Sequence, residues 1–237
     1  MNRILFEKGE ISRGVATFGG VRAEHVLKVL HGEVGQLLKT GEVDGPIGTG
    51  EITAIEDGLV TVRLKHDAEA LAPWVDLILA PPRPRVMKRL LPQLASLGVG
   101  RIVLVGAKKV EKDFWGATLL KEEIYRPLLI DGLMQAGTTA LPTISTVRNF
   151  RKWLREDLDR EFSTSRRIVA HPYGADSRPE RADESGRLLL AVGPEGGWTD
   201  EEVALLEEKG FSRYSLGPRI LRTDTAVVAL LARLQSV

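Results

Sequence analysis

The part of this sequence best suited to chemistry is a glycine-rich loop built around one carboxylate. The apolar run 188–192 stops at Gly193-Pro194-Glu195-Gly196-Gly197, and a helix begins soon afterwards. Glycine lets the backbone approach a ligand closely, and the proline fixes its own φ angle and stiffens the turn. Thr199 and Glu202 form a capping box, which predicts a helix over 200–210. The pattern therefore predicts a rigid corner that offers backbone N–H and C=O groups to a ligand.

This corner lacks the spacing of the common phosphate-binding loops. Neither Gly-x-x-x-x-Gly-Lys-Ser/Thr nor Gly-x-Gly-x-x-Gly occurs in the chain. The carboxylate of Glu195 would also repel phosphate, and it suits a ligand that is cationic or rich in hydroxyl and amino donors. Taken alone, the loop fits a purely structural tight turn equally well.

A second unusual loop follows the short run RYSLG. Ile220 and Leu221 are apolar where a loop should be polar, and Arg222 follows them at a position expected to be buried. Thr223 is the predicted N-cap of a last helix that is apolar on nearly all sides, which favours burial against another subunit. Apolar side chains and free backbone groups in adjacent loops suit a purine, held by shape and main-chain hydrogen bonds.

The elements that must position these loops fall into two groups along the chain. Residues 1 to about 70 carry short β-like runs separated by glycine-rich turns, which is the spacing of a small barrel or sandwich. One helical insertion, EHVLKVLHG, interrupts them, and 67–73 is predicted to be a linker. The predicted strands are Arg3–Phe6, Val15–Phe18, Gln36–Lys39, Gly50–Ile55 and Leu59–Leu64.

Beyond the linker, short apolar runs alternate with helical segments, which predicts an α/β fold with a mainly parallel sheet buried on both faces. The predicted strands are 75–80, 101–107, 142–145, 166–171, 188–193 and 213–217, and the predicted helices are 85–98, 116–135, 147–158, 200–210 and one from about 224. Ligands of such sheets bind just beyond the carboxyl ends of the strands. Three strands end in distinctive loops, RIVAHPYG, LLLAVGPEGGW and YSLGPRILRTDTA, and the site is expected where these loops meet.

Composition excludes several classes of protein. The chain has 237 residues without cysteine, and its four histidines have no metal-ligand spacing, so no disulfide and no metal site is expected. The start is too short and polar for a signal peptide, and no apolar run would span a bilayer, which predicts a soluble cytoplasmic protein. A net charge of +1 argues against non-specific coating of nucleic acid. Basic clusters at 83–89, 108–112 and 148–155 fit either a local basic face or, more simply, solvated helices.

Two C-terminal segments, GPEGGWTDEE and SLGPRILRTDTAVVALL, resemble the RsmE family of ribosomal RNA methyltransferases, in the SPOUT superfamily. RAEHVLKVLHGEVGQLL (22–38) and LILAPPRPRVMKRLLPQLASLGV (77–99) resemble the N-terminal segment and the first α/β unit of that family, so the resemblance covers most of the chain. It implies a PUA-like, RNA-binding β-barrel over 1–70. It also implies a SPOUT methyltransferase domain over 74–237, which holds a trefoil knot and forms a homodimer.

The resemblance further implies that S-adenosylmethionine sits in the knot and that its methyl group goes to N3 of a uridine in small-subunit (16S) ribosomal RNA, in the assembled 30S particle. The residues it assigns to the cofactor are His171, Val192, Gly193, Pro194, Glu195, Gly196, Gly197, Leu216, Gly217, Ile220, Leu221, Arg222, Thr223 and Thr225.

Roles in catalysis and RNA binding are assigned from the chemistry and positions of the residues, within the reaction that the resemblance implies. Arg222 is expected to stabilise the uridine anion electrostatically, and a structural pairing with Glu195 is the alternative. Glu195 is expected to act as the base or, preferably, as a structural partner of loop amides, and Asp224 is the alternative base. The residues expected to bind RNA are Arg3, Arg22, His25 and Lys28, and for His25 a structural role is equally open.

Some positions depart from the family pattern: His31, Ser96 and Asp224 stand where an Arg, a Glu and a Glu are usual. These departures lie largely outside the cofactor loops, so they bear on the RNA target more than on methyl transfer. Two other classes stay open. One is a SPOUT enzyme that methylates a different RNA position, although ribose methyltransferases of this kind usually carry Ser-Leu-Asn where this chain has Ile-Leu-Arg-Thr. The other is an RNA-binding ribosome-assembly factor without catalysis.

Overall fold

The computed structural model of the chain describes residues 2–163, 166–173 and 187–235. The chain forms two compact units, Met1–Ala72 with Leu129–Leu141, and Pro73–Leu128 with Pro142–Val237. The first unit thus includes a segment that the sequence assigns to the C-terminal domain. Backbone hydrogen bonds explain this, because the amides of Asn2 and Arg3 both donate to the carbonyl of Met134, at 3.0 and 3.1 Å.

Five strands form the sheet of the first unit, in the spatial order β1-β3-β4-β5-β2. The β1–β3 pair is parallel and the other pairs are antiparallel. Each predicted strand is present, and β3 to β5 extend beyond their predicted ends. The bounds are β1 Ile4–Phe6, β2 Val15–Phe18, β3 Leu37–Glu42, β4 Ile47–Glu56 and β5 Leu59–Ala68.

The core of the first unit lies on one face of this sheet. Inward-facing apolar residues alternate with outward ones, as in the buried Val60 and Val62 of β5. The rings of Phe6 and Phe18 meet edge to face, with centroids 5.4 Å apart. The predicted helical insertion is the helix α1 Gly20–Glu24, continued by the π-helical turn His25–Val29.

Six strands form the sheet of the second unit, in the order β11-β9-β10-β6-β7-β8, and every pair is parallel. The strands β6 and β10 are buried along their whole length, as expected for a parallel sheet covered on both faces. The bounds are β6 Val75–Leu79, β7 Val99–Val105, β8 Thr143–Val147, β9 Arg167–Ala170, β10 Leu188–Val192 and β11 Ser212–Tyr214.

Helices connect these strands. Their bounds are α2 Pro84–Ser96, α3 Glu122–Ala136, α4 Phe150–Glu156, α5 Leu158–Glu161, α6 Asp200–Glu208 and α7 Thr223–Leu234. Short 3₁₀ turns, Lys112–Gly116 and Thr118–Leu120, precede α3, so this helix begins later than the pattern predicts. The predicted fold class is confirmed: a parallel α/β domain follows a barrel-like β unit.

Gly106, directly after β7, is a point of close backbone contact between the loops that follow β7 and β8. Its amide donates to the carbonyl of Val147 at 2.8 Å, and a Cβ on Gly106 would lie 2.3 Å from the carbonyl oxygen of Arg148. Because that neighbour is backbone, a side chain at this position forces the two loops apart.

We expect Gly106→Ala to destabilise the protein by about 1–3 kcal/mol, the usual cost of inserting a group into a packed site. Urea unfolding should show a lower midpoint than the wild type. The matched control is Gly116→Ala, because a Cβ on Gly116 meets nothing within 4 Å. Equal midpoints for the two variants would contradict this account of Gly106.

Candidate functional site

A cavity of about 340 Å³ opens at the carboxyl ends of β9, β10 and β11. The residues that follow Ala170, Val192 and Tyr214 form three of its sides, and Ala226 and Leu230 of α7 close another. These are the three strand ends at which the sequence places the ligand. The structure therefore brings the three predicted loops together around one space; Gly174, which ends the first loop, lies outside the described residues.

Most of the residues predicted to bind a cofactor line this cavity: His171, Val192, Gly193, Pro194, Glu195, Gly196, Gly197, Leu216, Gly217, Ile220, Leu221 and Thr223. Arg222 and Thr225 do not. Sequence reasoning missed Ala170, Pro172, Tyr173, Trp198, Tyr214, Ser215, Arg219, Ala226 and Leu230. The aromatic residues among these, Tyr173, Trp198 and Tyr214, lie inside the three loops at which the sequence places the ligand, and that position was the signal available in the sequence.

The glycines of the loop after β10 are required by close packing and by backbone conformation. A Cβ on Gly193 would lie 3.1 Å from the backbone nitrogen of Trp198. Gly197 has a φ of +70°, and its amide donates to the carbonyl of Pro194 at 2.8 Å. The indole of Trp198 is buried and stacks on Phe150, with ring centroids 5.1 Å apart. The loop is thus a tight turn anchored in the core.

The buried carboxylate of Glu202 stabilises the C-terminal end of this loop through hydrogen bonds. Its Oε2 accepts the amide of Thr199 at 2.9 Å and the hydroxyl of Thr199 at 3.1 Å, within the predicted capping box. Its Oε1 accepts the amide of Lys108 at 2.7 Å. One acid that is 2% exposed therefore ties the loop after β10 to the loop after β7. Its charge makes these hydrogen bonds stronger than neutral ones.

Lys109 provides a second connection between the same two loops. Its Nζ donates to the carbonyl of Gly196 at 2.7 Å. A Cβ on Gly196 would lie 3.0 Å from Cδ of Lys109, so the lysine stem packs against this glycine. The tip of the glycine-rich loop is therefore positioned by a side chain from outside the cavity.

The loop after β11 is held by local hydrogen bonds while its apolar side chains remain exposed. The hydroxyl of Ser215 accepts the amide of Gly217 at 3.1 Å, and Gly217 has a φ of +114°. Ile220 is 67% exposed, and Leu216 and Leu221 are each 37% exposed. Adjacent exposed apolar side chains are typical of a surface that binds a ligand or another protein.

Glu195 stands on the wall between the large cavity and a smaller one of about 40 Å³. The smaller cavity is also lined by Arg83, Lys109 and Glu111. Arg83 donates from Nε to Glu111 at 2.8 Å, and this bond, with the negative charges of Glu111 and Glu195, raises the pKa of the Arg83 guanidinium. The negative charge of Glu195 therefore acts on Arg83 across the smaller cavity.

The segment before α7 differs from the prediction in two respects. Arg222 is exposed rather than buried, and it occupies the N-cap position with an extended backbone and no side-chain capping bond. Thr223, the predicted N-cap, is instead a buried first residue of the helix. The helix starts one residue early, which turns Thr223 inward and leaves Arg222 outside. Asp224, the alternative base, pairs with Arg89 at 3.7 Å and accepts the amide of Thr225 at 2.9 Å.

His171 lies at the mouth of the cavity, where β9 ends. Its amide donates to the carbonyl of Tyr214 at 3.0 Å, which joins the ends of β9 and β11. Its Nδ1 lies 2.7 Å from the carbonyl oxygen of Tyr173, and the two rings meet edge to face. The imidazole is thus oriented by the loop that it begins.

The residues predicted to bind RNA belong to the first unit, where Arg3 is engaged internally. Its guanidinium donates to the carbonyls of Thr40 at 2.6 Å, Gly48 at 3.1 Å and Gly137 at 2.9 Å. Burial lowers the pKa of Arg3 from its ordinary value. Arg3 therefore connects two strands of the sheet to the segment after α3.

Arg22 is also engaged. It donates to the carbonyl of Leu5 at 2.8 Å and binds the carboxylate of Glu10, whose pKa this contact lowers. His25 has a buried Nε2 without a hydrogen-bond partner among the described residues, and Lys28 is exposed. RNA binding by these residues stays a prediction, and the contacts of Arg3 and Arg22 favour a structural role for both.

Within the described ranges, no helix is long and apolar enough to cross a membrane. The same part of the chain contains no group of three or more His, Asp or Glu residues that could hold a metal ion.

Comparisons with known proteins place this geometry in a family. A family model described as RNA methyltransferase domain matches residues 70–235, which include every strand of the second sheet and every residue of the cavity. The fold and the site therefore define an RNA methyltransferase domain.

Relatives that match nearly the whole chain identify the family within this class of enzyme. The ribosomal RNA small subunit methyltransferase E of Treponema pallidum (strain Nichols) is 34% identical, and the match covers 98% of this chain and 90% of the relative. The ribosomal RNA small subunit methyltransferase E 1 of Borreliella burgdorferi is 26% identical, with 97% and 95% covered. The chain belongs to the ribosomal RNA small subunit methyltransferase E family, the RsmE family.

Solved structures share the fold over nearly the whole chain. A methyltransferase from Legionella pneumophila, solved in complex with bound S-adenosylmethionine, is 26% identical with a TM-score of 0.76, and 99% of this chain and 96% of that chain are covered. The ribosomal RNA small subunit methyltransferase E of Neisseria gonorrhoeae, also bound to S-adenosylmethionine, has a TM-score of 0.76 at 24% identity, with 99% and 97% covered.

The Lys109 connection should be measurable as cofactor affinity. We expect Lys109→Met, which keeps the apolar stem and removes the donor, to weaken S-adenosylmethionine binding in calorimetry by roughly threefold to tenfold, about the effect of one hydrogen bond. Lys108→Met removes the same charge from the neighbouring residue but keeps its backbone bond to Glu202, and should bind normally. Equal losses in both variants would show that charge, not the bond to Gly196, is responsible.

Proposed function

We propose that this protein transfers the methyl group of S-adenosylmethionine to N3 of a uridine in the RNA of the small ribosomal subunit. The observation that carries the proposal is the cavity at the ends of β9, β10 and β11 in a chain of the RsmE family. We assign the activity to the cytoplasm, and the substrate to an assembled subunit rather than a free oligonucleotide.

The cavity fits the cofactor chemically. Trp198, Leu216, Ile220 and Leu221 give it apolar walls suited to the adenine ring, and backbone groups of the glycine loop are available for hydrogen bonds. In the described lining Glu195 supplies the one carboxylate, and a negative charge suits a ligand that carries a positive sulfonium.

When bound, the cofactor would supply an activated methyl group: N3 of the uridine would release its proton to solvent and take the methyl group as the S–C bond breaks, which would leave S-adenosylhomocysteine. The residues of the chain then have to hold both molecules in line and exclude water. The hydrogen bonds of Glu202 and Lys109 help to hold the cofactor in line, because they fix the glycine loop before any ligand binds.

A cation near the cavity rim would favour the deprotonated uridine. Arg222 remains our candidate for this role, since its neighbours Leu221 and Thr223 both line the cavity and its side chain is free of ion pairs among the described residues. Arg219 is the second candidate, because it lines the cavity itself. We assign Glu195 a positioning role opposite Arg83.

A homodimer completes the proposal, and the surface that supports it is the loop after β11 rather than helix α7. The apolar face of α7 is covered within its own chain, with Val227, Leu230 and Leu231 buried. The exposed side chains of Leu216 and Ile220, in the loop after β11, are the surface that we expect a second copy to cover.

The first test is the modification itself. We expect mass spectrometry of small-subunit ribosomal RNA to show one N3-methyluridine that is absent from cells without the protein and restored by the purified protein with S-adenosylmethionine. A restored methyl group on another base or on a ribose would reassign the target within the superfamily. An unchanged RNA would favour an assembly factor without catalysis.

The two arginines can be separated kinetically. We expect Arg222→Ala to lower the methyl-transfer rate by roughly 10²-fold, the effect of removing one preorganised electrostatic contact, with little change in cofactor affinity. Arg222→Lys should recover only part of the rate, because it loses the planar guanidinium. The comparison variant is Arg219→Ala. Normal turnover in Arg222→Ala, together with a large loss in Arg219→Ala, would transfer the catalytic role to Arg219.

The expected dimer is checked by light scattering, which should give twice the chain mass of 26.0 kDa at micromolar concentration. Ile220→Asp should shift that mass towards the monomer, because it places a charge on the exposed apolar loop. A wild-type monomer would contradict the proposed assembly.

A further inference from the structure

The three basic clusters of the sequence follow three neighbouring strands. Residues 83–89 come after β6, 108–112 after β7 and 148–155 after β8, and these strands lie side by side in parallel. Together the clusters hold eleven of the 33 basic residues of a chain whose net charge is only +1. Because the three strands are parallel, all three clusters begin at one edge of the sheet, which is also the edge that carries the cavity.

We call Arg83, Lys108, Lys109, Lys112 and Arg148 the basic edge, since each lies one to seven residues after the end of a strand. Direct contacts hold its parts together. The loops after β7 and β8 touch at Gly106, as described above. The guanidinium of Arg148 lies 5.8 Å from the ring centroid of Trp115, which is in the same 3₁₀ turn as Lys112.

The basic edge continues into the wall of the cavity. Arg83 and Lys109 line the smaller cavity together with Pro194 and Glu195, which also line the larger one. A strand of RNA whose target nucleotide enters the larger cavity at the glycine loop would therefore meet Lys109 and Arg83 next.

Three side chains of the basic edge are available for a partner. Lys108, Lys112 and Arg148 are exposed, and none of them forms an ion pair with the described residues. This distinguishes them from Arg3 and Arg22, whose guanidinium groups are engaged within the first unit. Arg83 forms an ion pair with Glu111, and both of these side chains are more than half exposed.

We propose that the basic edge binds the phosphates of a single-stranded RNA segment adjoining the target nucleotide, and that Trp115 offers its ring to an unpaired base. Cations interleaved with an aromatic ring suit single strands, because phosphates meet the charges while a base stacks on the ring. The substrate class rests on the proposed function, and the inference adds where the flanking RNA lies.

Salt dependence tests the proposal. The probe is the small ribosomal subunit from cells that lack the protein, titrated by anisotropy over a range of salt concentrations without cofactor. We expect Lys112→Gln and Arg148→Gln each to reduce the slope of log K against log salt by about one, and to weaken binding by roughly threefold to tenfold near 0.1 M salt. Arg148→Lys keeps the charge and should keep the slope.

The matched control is Arg160→Gln, which removes an exposed arginine from α5, before the amino end of β9 and hence at the opposite edge of the sheet. Its slope should equal that of the wild type. If the slope of log K against log salt is the same in all variants and the wild type, the proposal is overturned. A change of oligomeric mass in Arg148→Gln would also overturn it, because the edge would then be a contact between copies of the chain.

Trp115 gives a second readout that does not depend on charge. Trp115→Phe should retain most of the affinity and Trp115→Leu should lose about tenfold with an unchanged salt slope, since stacking is not ionic. If Trp115→Leu and the wild type bind with equal affinity, then no RNA base stacks on Trp115.

A failure of the proposed function can be distinguished from a failure of the basic-edge proposal. If the wild-type protein binds the subunits with the expected slope but leaves their RNA unmethylated, the activity is wrong and the basic edge stands. If it methylates normally while the Lys112 and Arg148 variants bind and turn over as wild type, the activity stands and the basic edge is wrong.

Discussion

The carboxylate of Glu202 connects two loops that are 94 residues apart in sequence, and the candidate site depends on that connection. A buried carboxylate is costly unless its oxygens are satisfied by donors. Thr199 supplies an amide and a hydroxyl, and Lys108 supplies an amide. The loop that forms a wall of the cavity is consequently fixed at its far end by the same acid that starts helix α6.

This arrangement explains why the loop can expose backbone groups without losing its shape. Trp198 anchors it in the core, Glu202 fixes the helix that follows it, and Lys109 binds its tip. Pro194, Glu195 and the glycine backbone then face the cavities, beside the ring of Trp198. A binding site that is rigid before its ligand arrives loses less entropy on binding, which is the advantage of preorganisation.

Much of the fold and of the pocket could be predicted from the sequence, because the information is local there. The run LLLAV and the capping box of Thr199 each fix an element within a few residues. What could not be predicted is the surroundings of individual side chains. Arg222 was expected to be buried because its neighbours are apolar, but a helix that starts one residue early leaves it exposed. Arg3 and Arg22 looked like surface cations because their carbonyl acceptors lie elsewhere in the chain.

The membership of Leu129–Leu141 in the first unit has a consequence for the order of events during synthesis. The carbonyl of Met134 accepts the amides of Asn2 and Arg3, and the amide of Leu141 binds the Asp44 carboxylate at 2.7 Å. Domains usually fold as they emerge, beginning at the N-terminus. Here the N-terminal unit cannot complete its own contacts until residue 141 has left the ribosome, by which time two strands of the second sheet have also emerged. A fragment that ends at Ala72 would present its first residues without their acceptors. Recombination that exchanges this unit between related genes would have to transfer two separate segments of the coding sequence.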